Sequence, residues 1–544
     1  MKSVIKSEKQ GASVFMSGVL VLSLSTVIVK IIGLAYKIPM LSYLGVEGMG
    51  YFNSAYEIYV LLCVISTAGL PVALSMLVSA GREAGRTGQI QNIYRTSLKI
   101  FLFLGISGSA LMLVLAKQIS GFIGNADAYY CIVAISPALI CVCISSAVRG
   151  YFQGYSCMYP TALSQLIEAL GKLVLGVLFA SMAIKRGYSV PVCAAFAVVG
   201  LSVGTFLSAL YLVILKSVKG KKGEYVCPPQ VKGEKKEKIL GTLMKIALPI
   251  TLSSAVLSVT RIVDMALIMR RLQSIGYTAG AANSVYGSYT TLAVPVFGLI
   301  PSLITPVSLA LVPSLSASIE SGNTFGQSAT ATNSMRLTVL LAMPSSIGIS
   351  LYSGQIINLL FRDAGGAAEY TAPLLSMLGI SVLFACIITT TNAILQSYRR
   401  TVIPILSMAV GAAVKTASAY LLIGIPSVNI FGAPISTLFC NVTVTAINVY
   451  FVYRCVPECG SVGKIFVRPF AASVPSVALS YVVYFLTMQT GAAQNIAFIT
   501  AVAVAVILYI PLAFAFKALS MSDLALVPGG NRLCAFLSKN KGKS

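Results

Sequence analysis

Eight charged side chains lie inside apolar stretches of this sequence, where a charge needs a chemical reason to be present. Five are cationic and three are acidic: Lys30, Lys37, Lys172, Arg261 and Lys415, with Glu57, Glu168 and Asp264. An Arg, Lys or Asp at the centre of a membrane helix costs about 2.5 to 3.5 kcal/mol on insertion scales. The surplus of positive charge predicts a binding site for an anion, most naturally a diphosphate, because cations can replace its lost hydration.

Two pairs of these residues are spaced so that they could neutralise each other. Glu168 precedes Lys172 by four residues, and Arg261 precedes Asp264 by three, so that each pair lies on one face of a helix. For both pairs, a structural ion pair inside a helical bundle and a functional role are equally good interpretations.

Lys30 and Lys37 are spaced by seven residues and have no acid within helical reach in their own stretch. They either face an acid on another helix, with Glu57 as the obvious candidate, or await an anion. Lys37 could also extend to the membrane surface. Lys415 likewise has no acid in its own stretch. The predicted substrate-binding residues are therefore Lys30, Lys37, Arg261, Lys415, Glu57 and Asp264.

The composition identifies the kind of protein that carries these charges. The chain has 544 residues, of which 57% are hydrophobic and only 10% charged, whereas soluble domains are about one quarter charged. We therefore expect an all-α integral membrane protein. The sequence contains no His, which removes the commonest general base and metal ligand. We expect no enzymatic activity, no metal and no cofactor.

Apolar runs long enough to cross a membrane, about 20 residues each, number roughly fourteen. The first run, residues 14–38, is too long for a signal peptide and predicts a retained span. Most Lys and Arg residues of the connecting loops fall on the side that carries both termini, which predicts cytoplasmic termini. The net charge of +24 is then explained by orientation, and no nucleic-acid partner is expected.

A basic stretch rich in Gly and Pro predicts a flexible cytoplasmic linker over residues 216–242. It separates a six-span N-lobe, residues 1–215, from a six-span C-lobe, residues 243–455. Two further spans and a cytoplasmic tail make up residues 456–544. The two lobes predict a transporter with a central cleft.

Internal repeats support this division. Asn53-Ser54-Ala55-Tyr56 recurs as Asn283-Ser284-Val285-Tyr286, and Lys30-Ile31-Ile32 aligns with Arg261-Ile262-Val263. Later in each half, Gln153 and Lys172 are matched by Gln396 and Lys415, 243 residues further on. Several weak matches in the same order indicate two similarly oriented halves.

The last two spans, residues 469–516, contain no Asp, Glu, Lys or Arg. These helices could lie beside the tail of a lipid substrate. Ordinary packing against membrane lipid is the alternative explanation, because spans without charge generally face lipid.

Three motifs near the start of the chain resemble a known family. Lys30-Ile-Ile-Gly-Leu-Ala-Tyr-Lys-Ile-Pro39, Leu44-Gly-Val-Glu-Gly-Met-Gly50 and Thr67-Ala-Gly-Leu-Pro-Val-Ala-Leu-Ser75 resemble the opening of the stage V sporulation protein B group of polysaccharide biosynthesis proteins. This group belongs to the multidrug/oligosaccharidyl-lipid/polysaccharide (MOP) flippase superfamily and is related to lipid II flippases.

The resemblance implies a bundle of fourteen helices that carries undecaprenyl-diphosphate-linked sugars to the outer leaflet by alternating access. It also implies that basic residues of the first span, here Lys30 and Lys37, line the cavity and engage the diphosphate. Arg261 is added because it occupies the equivalent position in the internal repeat. A groove for the lipid tail is implied on the two last helices.

The sequence therefore predicts a flippase for a polyprenyl-diphosphate-linked saccharide in a bacterial inner membrane, acting as a monomer among membrane lipids. A coupling ion is a further possible partner. The alternative is an ion-coupled multidrug exporter of the same superfamily, with Glu57, Glu168 or Asp264 as the coupling acid. A scaffold that transports nothing is a third class, and it would tolerate neutralisation of every charge in the membrane.

Overall fold

The computed structural model describes residues 2–83, 87–221, 236–362, 366–457, 460–461 and 463–519, and the regular elements in these ranges are all helical. The first ten α-helices are α1 Lys2–Thr67, α2 Leu70–Glu83, α3 Thr87–Val114, α4 Ala116–Phe122, α5 Tyr129–Ile135, α6 Ala138–Gly154, α7 Tyr159–Lys185, α8 Val190–Lys221, α9 Lys236–Ser274 and α10 Ala279–Ser288. The others are α11 Val294–Glu320, α12 Thr324–Leu351, α13 Ser353–Leu360, α14 Gly366–Ser397, α15 Val402–Ile423, α16 Gly432–Cys455, α17 Arg468–Gln489 and α18 Gln494–Ala515.

Twelve helices in the described ranges are long and apolar enough to cross a membrane, or thirteen if the pair of α5 and α6, bent by 41°, counts as one span. The protein is therefore a multi-pass membrane protein, and the predicted all-helical membrane fold is confirmed. The first of the twelve covers Leu24–Arg82, 59 residues, which is far more than the approximately 20 that one crossing needs. Counted as two crossings, it brings the total to thirteen, or to fourteen with the pair of α5 and α6, in agreement with the roughly fourteen spans that the sequence predicts.

Gly45 interrupts this long helical stretch. Its φ of 63° and ψ of −177° are not helical, and only glycine adopts such a positive φ without strain. Residues 2–44 and 46–67 of α1 are therefore two helices joined at a kink. Gly45 belongs to the motif Leu44–Gly50, one of those that resemble a known family. The kink explains why this position of the motif is a glycine.

The described residues cluster into two compact units. The first unit contains the described residues of 1–291 together with 423–430, and the second contains those of 292–422 and 431–544. These units follow contacts, whereas the predicted lobes follow the repeat, and α9 and α10 cluster with the first unit. The division into the lobes 1–215 and 243–455 stays a prediction.

The predicted linker, residues 216–242, begins and ends in helices, because α8 extends to Lys221 and α9 begins at Lys236. Residues 222–235 between them lie outside the described residues, as do residues 520–544 of the predicted tail.

Each unit has its own apolar core. In the first unit, α2, α3, α6, α8 and α9 pack around buried residues such as Leu74, Phe101, Phe152 and Leu243. In the second unit, α11, α12, α14 and α16 pack around Leu315, Val339, Ile394 and Val452. A second cluster in this unit joins α17 and α18 through residues such as Val477 and Phe498.

Arg149 on α6 joins three helices of the first unit. Its guanidinium donates hydrogen bonds to Glu168 at 3.0 Å and Ser164 at 2.9 Å on α7, and to Ser208 at 3.2 Å on α8. Glu168 therefore forms its ion pair with Arg149 and not with Lys172, although its charge still acts on the Lys172 ammonium group. The reason is geometric, since a planar guanidinium on a neighbouring helix reaches several acceptors at once.

The second unit has a similar polar node without charge. Ser407 on α15 donates to the Asn448 side-chain oxygen at 2.7 Å, and the Asn448 amide nitrogen donates to Asn392 at 2.8 Å and Thr391 at 3.2 Å. Asn448 is fully buried. Every polar atom named here has a partner, which is what a dry interior requires.

The two nodes occupy equivalent positions of the internal repeat. Asn392 follows Arg149 by 243 residues, and Gly411 follows Glu168 by the same number, as Lys415 follows Lys172. Matching positions of the two halves therefore both carry a polar junction, and the described residues of this junction form an ion pair only in the first half.

Replacing Glu168 with Gln should lower the stability of the protein, because it leaves the Arg149 guanidinium without its carboxylate. We expect a loss of about 1–3 kcal/mol, less than for a fully buried pair, because the Glu168 side chain is 33% exposed. The measurement is thermal unfolding of the purified protein in detergent.

The matched control is Glu320→Gln, which removes the exposed ion pair between Glu320 and Arg399. Exposed pairs contribute little, so this variant should unfold like the original protein. Equal loss of stability in both variants would contradict the role assigned to the Arg149 node.

Candidate functional site

Lys37 is held by a backbone carbonyl of the first unit. Its ammonium donates a hydrogen bond of 2.8 Å to the carbonyl oxygen of Thr290. Thr290 lies in a π-helical turn, Tyr289–Ala293, and such turns disturb the ordinary hydrogen-bond ladder and are common at functional sites. The acceptor is neutral, so Lys37 keeps a positive charge that no partner carboxylate cancels at this contact.

Lys172 on α7 points into a group of aromatic rings from both halves of α1. Its ammonium lies 4.9 Å from the ring centroid of Tyr36, 5.3 Å from that of Phe52 and 4.7 Å from that of Tyr56. Ring faces attract a cation without neutralising it. Among the described residues, no carboxylate forms an ion pair with Lys172. We call Lys172 and these three rings the Lys172 box.

The acids Glu57 and Asp264 lie near the same region of the first unit. Both interact electrostatically with the buried ring of Tyr286, and Glu57 also interacts with Lys37. Lys37 and Lys172 in turn repel each other. These residues therefore form one electrostatic neighbourhood, in which two lysines and two carboxylates lie close to tyrosine rings.

Arg261 lies at the edge of this neighbourhood. Its side chain is exposed, and it interacts electrostatically with Tyr56 of the Lys172 box. In the described part of the chain, no ion pair joins Arg261 to Asp264, so the structure does not adopt the self-neutralising arrangement that their spacing allows. Lys30 lies two helical turns before Lys37, and its side chain is exposed.

Lys415 belongs to a different unit from the other predicted site residues. It lies on α15 in the second unit, and its side chain is half-buried. The structure therefore brings together Lys37, Glu57, Arg261 and Asp264 within the first unit, and the place of Lys415 in the same site stays a prediction.

Sequence reasoning left Lys172 out of the predicted site because Glu168 stands one turn away on the same helix. The missing fact was the contact of Arg149, on the neighbouring helix α6, with that carboxylate. The signal that could have identified Lys172 was the repeat, because Lys415 occupies the matching position in the second half.

The two copies of the Asn-Ser-x-Tyr motif contact each other within the first unit. Asn53 donates to the hydroxyls of Thr290 at 3.0 Å and Thr291 at 2.9 Å, and Asn283 donates to the carbonyl of Glu47 at 2.8 Å. Asn283 also accepts a hydrogen bond of 2.8 Å from Asn125. Each asparagine therefore binds the segment that carries the other copy.

Glycines allow this close approach. A Cβ atom on Gly50 would collide with Asn283, and a Cβ atom on Gly287 would collide with the carbonyl oxygen of Val46. The backbones of α1 and α10 therefore touch at a place where no larger residue fits. The same segment carries Thr290, the acceptor of Lys37.

The second unit contains an apolar cavity of about 570 Å³. It is lined by α12, α17 and α18, with further residues from α11 and α13. Its wall includes Gly348, Val477, Phe498, Val506 and Ile510, and none of its lining residues is charged. A cavity of this kind accepts a hydrocarbon chain.

Residues 15–318 match the model of a family described as polysaccharide biosynthesis protein. The chain belongs to this family. The family match covers Lys30, Lys37, Glu57, Lys172 and the segment with Arg261 and Asp264, but it ends before Lys415. The resemblance seen in the opening motifs of the sequence is confirmed.

Two curated relatives are similar over most of the chain. Stage V sporulation protein B of Bacillus subtilis (strain 168) is 25% identical over 527 residues, which cover 95% of this chain and 98% of the relative. Lipid II flippase MurJ of the same organism is 26% identical over 423 residues, covering 74% of this chain and 76% of the relative.

Solved structures share the fold of this family member. A lipid II flippase MurJ in an inward closed conformation matches with a TM-score of 0.69 at 16% identity, covering 91% of this chain and 98% of that one. An inward-facing multidrug resistance MATE family transporter of the MOP superfamily matches with a TM-score of 0.64 at 15% identity, covering 82% and 98%. The fold is therefore that of MOP superfamily transporters.

Replacing Gly50 with Ala should destabilise this member of the family, because the added methyl group forces α1 and α10 apart at the asparagine contacts. Overpacking of this kind costs about 1–3 kcal/mol, measured as a lower temperature of thermal unfolding in detergent.

Gly33→Ala is the control in the first half of α1, before the kink at Gly45, since a Cβ atom at Gly33 meets nothing within 4 Å. This variant should be unchanged or slightly more stable, as alanine favours helix. An unchanged unfolding temperature for Gly50→Ala would show that the approach is looser than the structure has it.

Proposed function

We propose that the protein is a flippase that moves a polyprenyl-diphosphate-linked saccharide, lipid II or a related envelope precursor, across the cytoplasmic membrane by alternating access. The observation that carries the proposal is the state of Lys37 and Lys172. The direct contacts of both ammonium groups within the first unit are neutral, a carbonyl and three aromatic rings, while the carboxylates of Glu57 and Glu168 act on them only through space. Their charge is therefore available to an anionic substrate.

A diphosphate fits this arrangement better than a cation does. The repulsion between Lys37 and Lys172 is relieved when a negatively charged group binds near both. Phosphate oxygens also form charge-assisted hydrogen bonds with ammonium groups, and these are stronger than neutral ones. Lys30 and Arg261, which are exposed, extend the positive surface along α1 and α9.

The apolar cavity of the second unit supports a substrate with a long hydrocarbon chain. A polyprenyl chain needs an apolar path, and the cavity offers a wall without charged residues on α12, α17 and α18. The uncharged sequence of residues 469–516, which includes α17 and α18, is consistent with this use.

The relatives point in the same direction. One curated relative is named lipid II flippase MurJ, another is named stage V sporulation protein B, and the family is described as polysaccharide biosynthesis protein. We infer a bacterial cytoplasmic membrane location with both termini in the cytoplasm, because the basic loops fall on that side. The proposed partners are the lipid-linked saccharide, membrane lipids and a coupling ion.

A second candidate function is ion-coupled export of small molecules. It is favoured by the fold shared with a MATE family transporter and by the carboxylates of Glu57 and Asp264 beside Tyr286. An exporter of organic cations would, however, need acids rather than lysines as the dominant charges of its site.

Neutralising or reversing the charge of the site lysines should abolish flipping. We expect Lys37→Ala, Lys172→Ala and Lys30→Glu to lose rescue of a strain that lacks its own lipid II flippase. The loss of one charge-assisted contact, about 1.5–3 kcal/mol, weakens substrate binding about ten- to a hundredfold. Lys30→Arg should be tolerated, because the charge is kept.

Lys117→Ala is the matched control, since Lys117 is an exposed lysine of α4 outside the site. All variants are compared at equal amounts of protein in the membrane. Full rescue by Lys30→Glu would remove Lys30 from the site. Drug resistance that is lost with Asp264→Asn, without an envelope defect, would favour the exporter instead.

Filling the apolar cavity should impair transport without affecting the lysines. Gly348 lines the cavity, and a Cβ atom there meets nothing within 4 Å, so Gly348→Phe places a ring in the space proposed for the lipid tail. We expect weaker rescue at equal protein amount.

Gly298→Phe is the control, because Gly298 on α11 also has open space around its Cβ position but does not line the cavity. Equal rescue by the two variants would indicate that the hydrocarbon chain does not use this cavity.

A further inference from the structure

The first unit contains a second group of basic and aromatic residues. Its residues differ from those around Lys37 and Lys172. Lys216, near the end of α8, places its ammonium 2.8 Å from the ring centroid of Tyr94 and 4.7 Å from that of Tyr151. The two rings are 7% and 3% exposed, and their centroids are 5.1 Å apart. Lys216 is therefore held against two fixed aromatic surfaces.

Arg82, in the last turn of α2, contacts a third tyrosine, which is adjacent to Tyr151. Its guanidinium donates a hydrogen bond of 3.1 Å to the carbonyl of Tyr155, the residue that ends α6, and lies 5.8 Å from the Tyr155 ring centroid. The Tyr155 ring is 5.1 Å from that of Tyr151. Arg82 and Lys216 are thus bound to one continuous group of tyrosines.

Arg95 adds a third cation. It follows Tyr94 on α3 and repels the charge of Lys216. Among the described side chains, none of these three cations forms an ion pair with a carboxylate. Two positive charges supported by rings and a carbonyl, together with the exposed charge of Arg95, are stabilised when an anion binds near them.

The position of this group indicates which anion it meets. Arg82 lies in the last turn of α2, Tyr155 directly follows α6, and Lys216 lies near the end of α8. Arg95 lies about two turns into α3. Ends of spanning helices lie at the level of the lipid phosphates, and α8 leads into the basic stretch that begins at residue 216. Arginine guanidinium groups match phosphate oxygens in a bidentate way.

We propose that Lys216 and Arg82, held on the rings of Tyr94, Tyr151 and Tyr155, form a binding site for a phosphate group at the membrane surface together with the exposed Arg95. An anionic diacyl lipid, whose phosphodiester keeps a net negative charge, and a free phosphate share this chemistry. The site is separate from the proposed transport site in its residues, and it does not depend on the proposed function.

The test measures thermal unfolding of the full chain in detergent while phosphatidylglycerol is added. We expect the lipid to raise the unfolding temperature of the original protein. In Lys216→Met, the lipid concentration needed for half of this shift should rise at least about fivefold, since a basic residue near a lipid surface contributes about a factor of five to attraction. Zwitterionic phosphatidylcholine should give no comparable shift.

Lys185→Met, which removes an exposed lysine from the end of α7, is the matched control and should respond like the original protein. Inorganic phosphate forms a second arm. A shift with phosphate alone that disappears in Lys216→Met would identify free phosphate as the ligand, and a shift only with phosphatidylglycerol would identify the lipid.

Arg95→Gln gives a second variant, because its side chain is exposed and its loss leaves the packing of Lys216 on the rings in place. It should also weaken the response to the ligand. The proposal is overturned if neither ligand shifts the original protein, or if Lys216→Met and Arg95→Gln both respond as the original protein does.

Discussion

The arrangement of the first unit depends on holding positive charge inside a membrane through neutral direct contacts. Glu57 acts on Lys37 and Glu168 acts on Lys172 through space, but no ion pair joins either lysine to a carboxylate among the described residues. The structure instead gives Lys37 the Thr290 carbonyl and gives Lys172 three aromatic rings. Such contacts offset part of the cost of burying an ammonium group, about 0.5–2 kcal/mol for a cation near an aromatic ring. The rest of the burial cost would be reduced by an anion bound beside the ammonium groups.

Arg149 contributes to this arrangement from a neighbouring helix. It forms the direct ion pair with Glu168, so that this carboxylate, one turn from Lys172 along α7, acts on the lysine only through space. The equivalent junction of the second unit, at Asn392, Ser407 and Asn448, keeps helices together with neutral groups alone. The junction that contains an ion pair therefore lies in the same half of the chain as Lys172 and its aromatic rings. The neutral junction of the other half shows that helices can be joined at this position without charge.

The sequence was sufficient for the class of fold. Apolar runs indicated the spans because a spanning helix needs about 20 residues. The cost of charge in lipid singled out Lys37, Glu57, Arg261 and Asp264 as candidates, whose role in one site stays a prediction. The sequence was not sufficient for partners across helices. The spacing rule that joined Glu168 to Lys172 considers one helix only, and it cannot weigh a guanidinium arriving from α6.

The kink at Gly45 and the aromatic rings around Lys172 could not be predicted from the sequence for a related reason. Tyr36 precedes the kink, whereas Phe52 and Tyr56 follow it. Only after the chain has turned at Gly45 can residues so far apart along α1 surround one ammonium group. The apolar cavity is equally non-local, because its wall comes from five helices.

The asparagine motif shows what the internal repeat preserves. Asn53 and Asn283 occupy equivalent positions, and each donates to the segment that carries the other. Because Thr290 accepts Lys37 through its carbonyl and Asn53 through its hydroxyl, this contact and the position of the Lys37 charge are linked through one residue. A motion that carries the Thr290 turn away from α1 would therefore break the Asn53 contact and the Lys37 contact together.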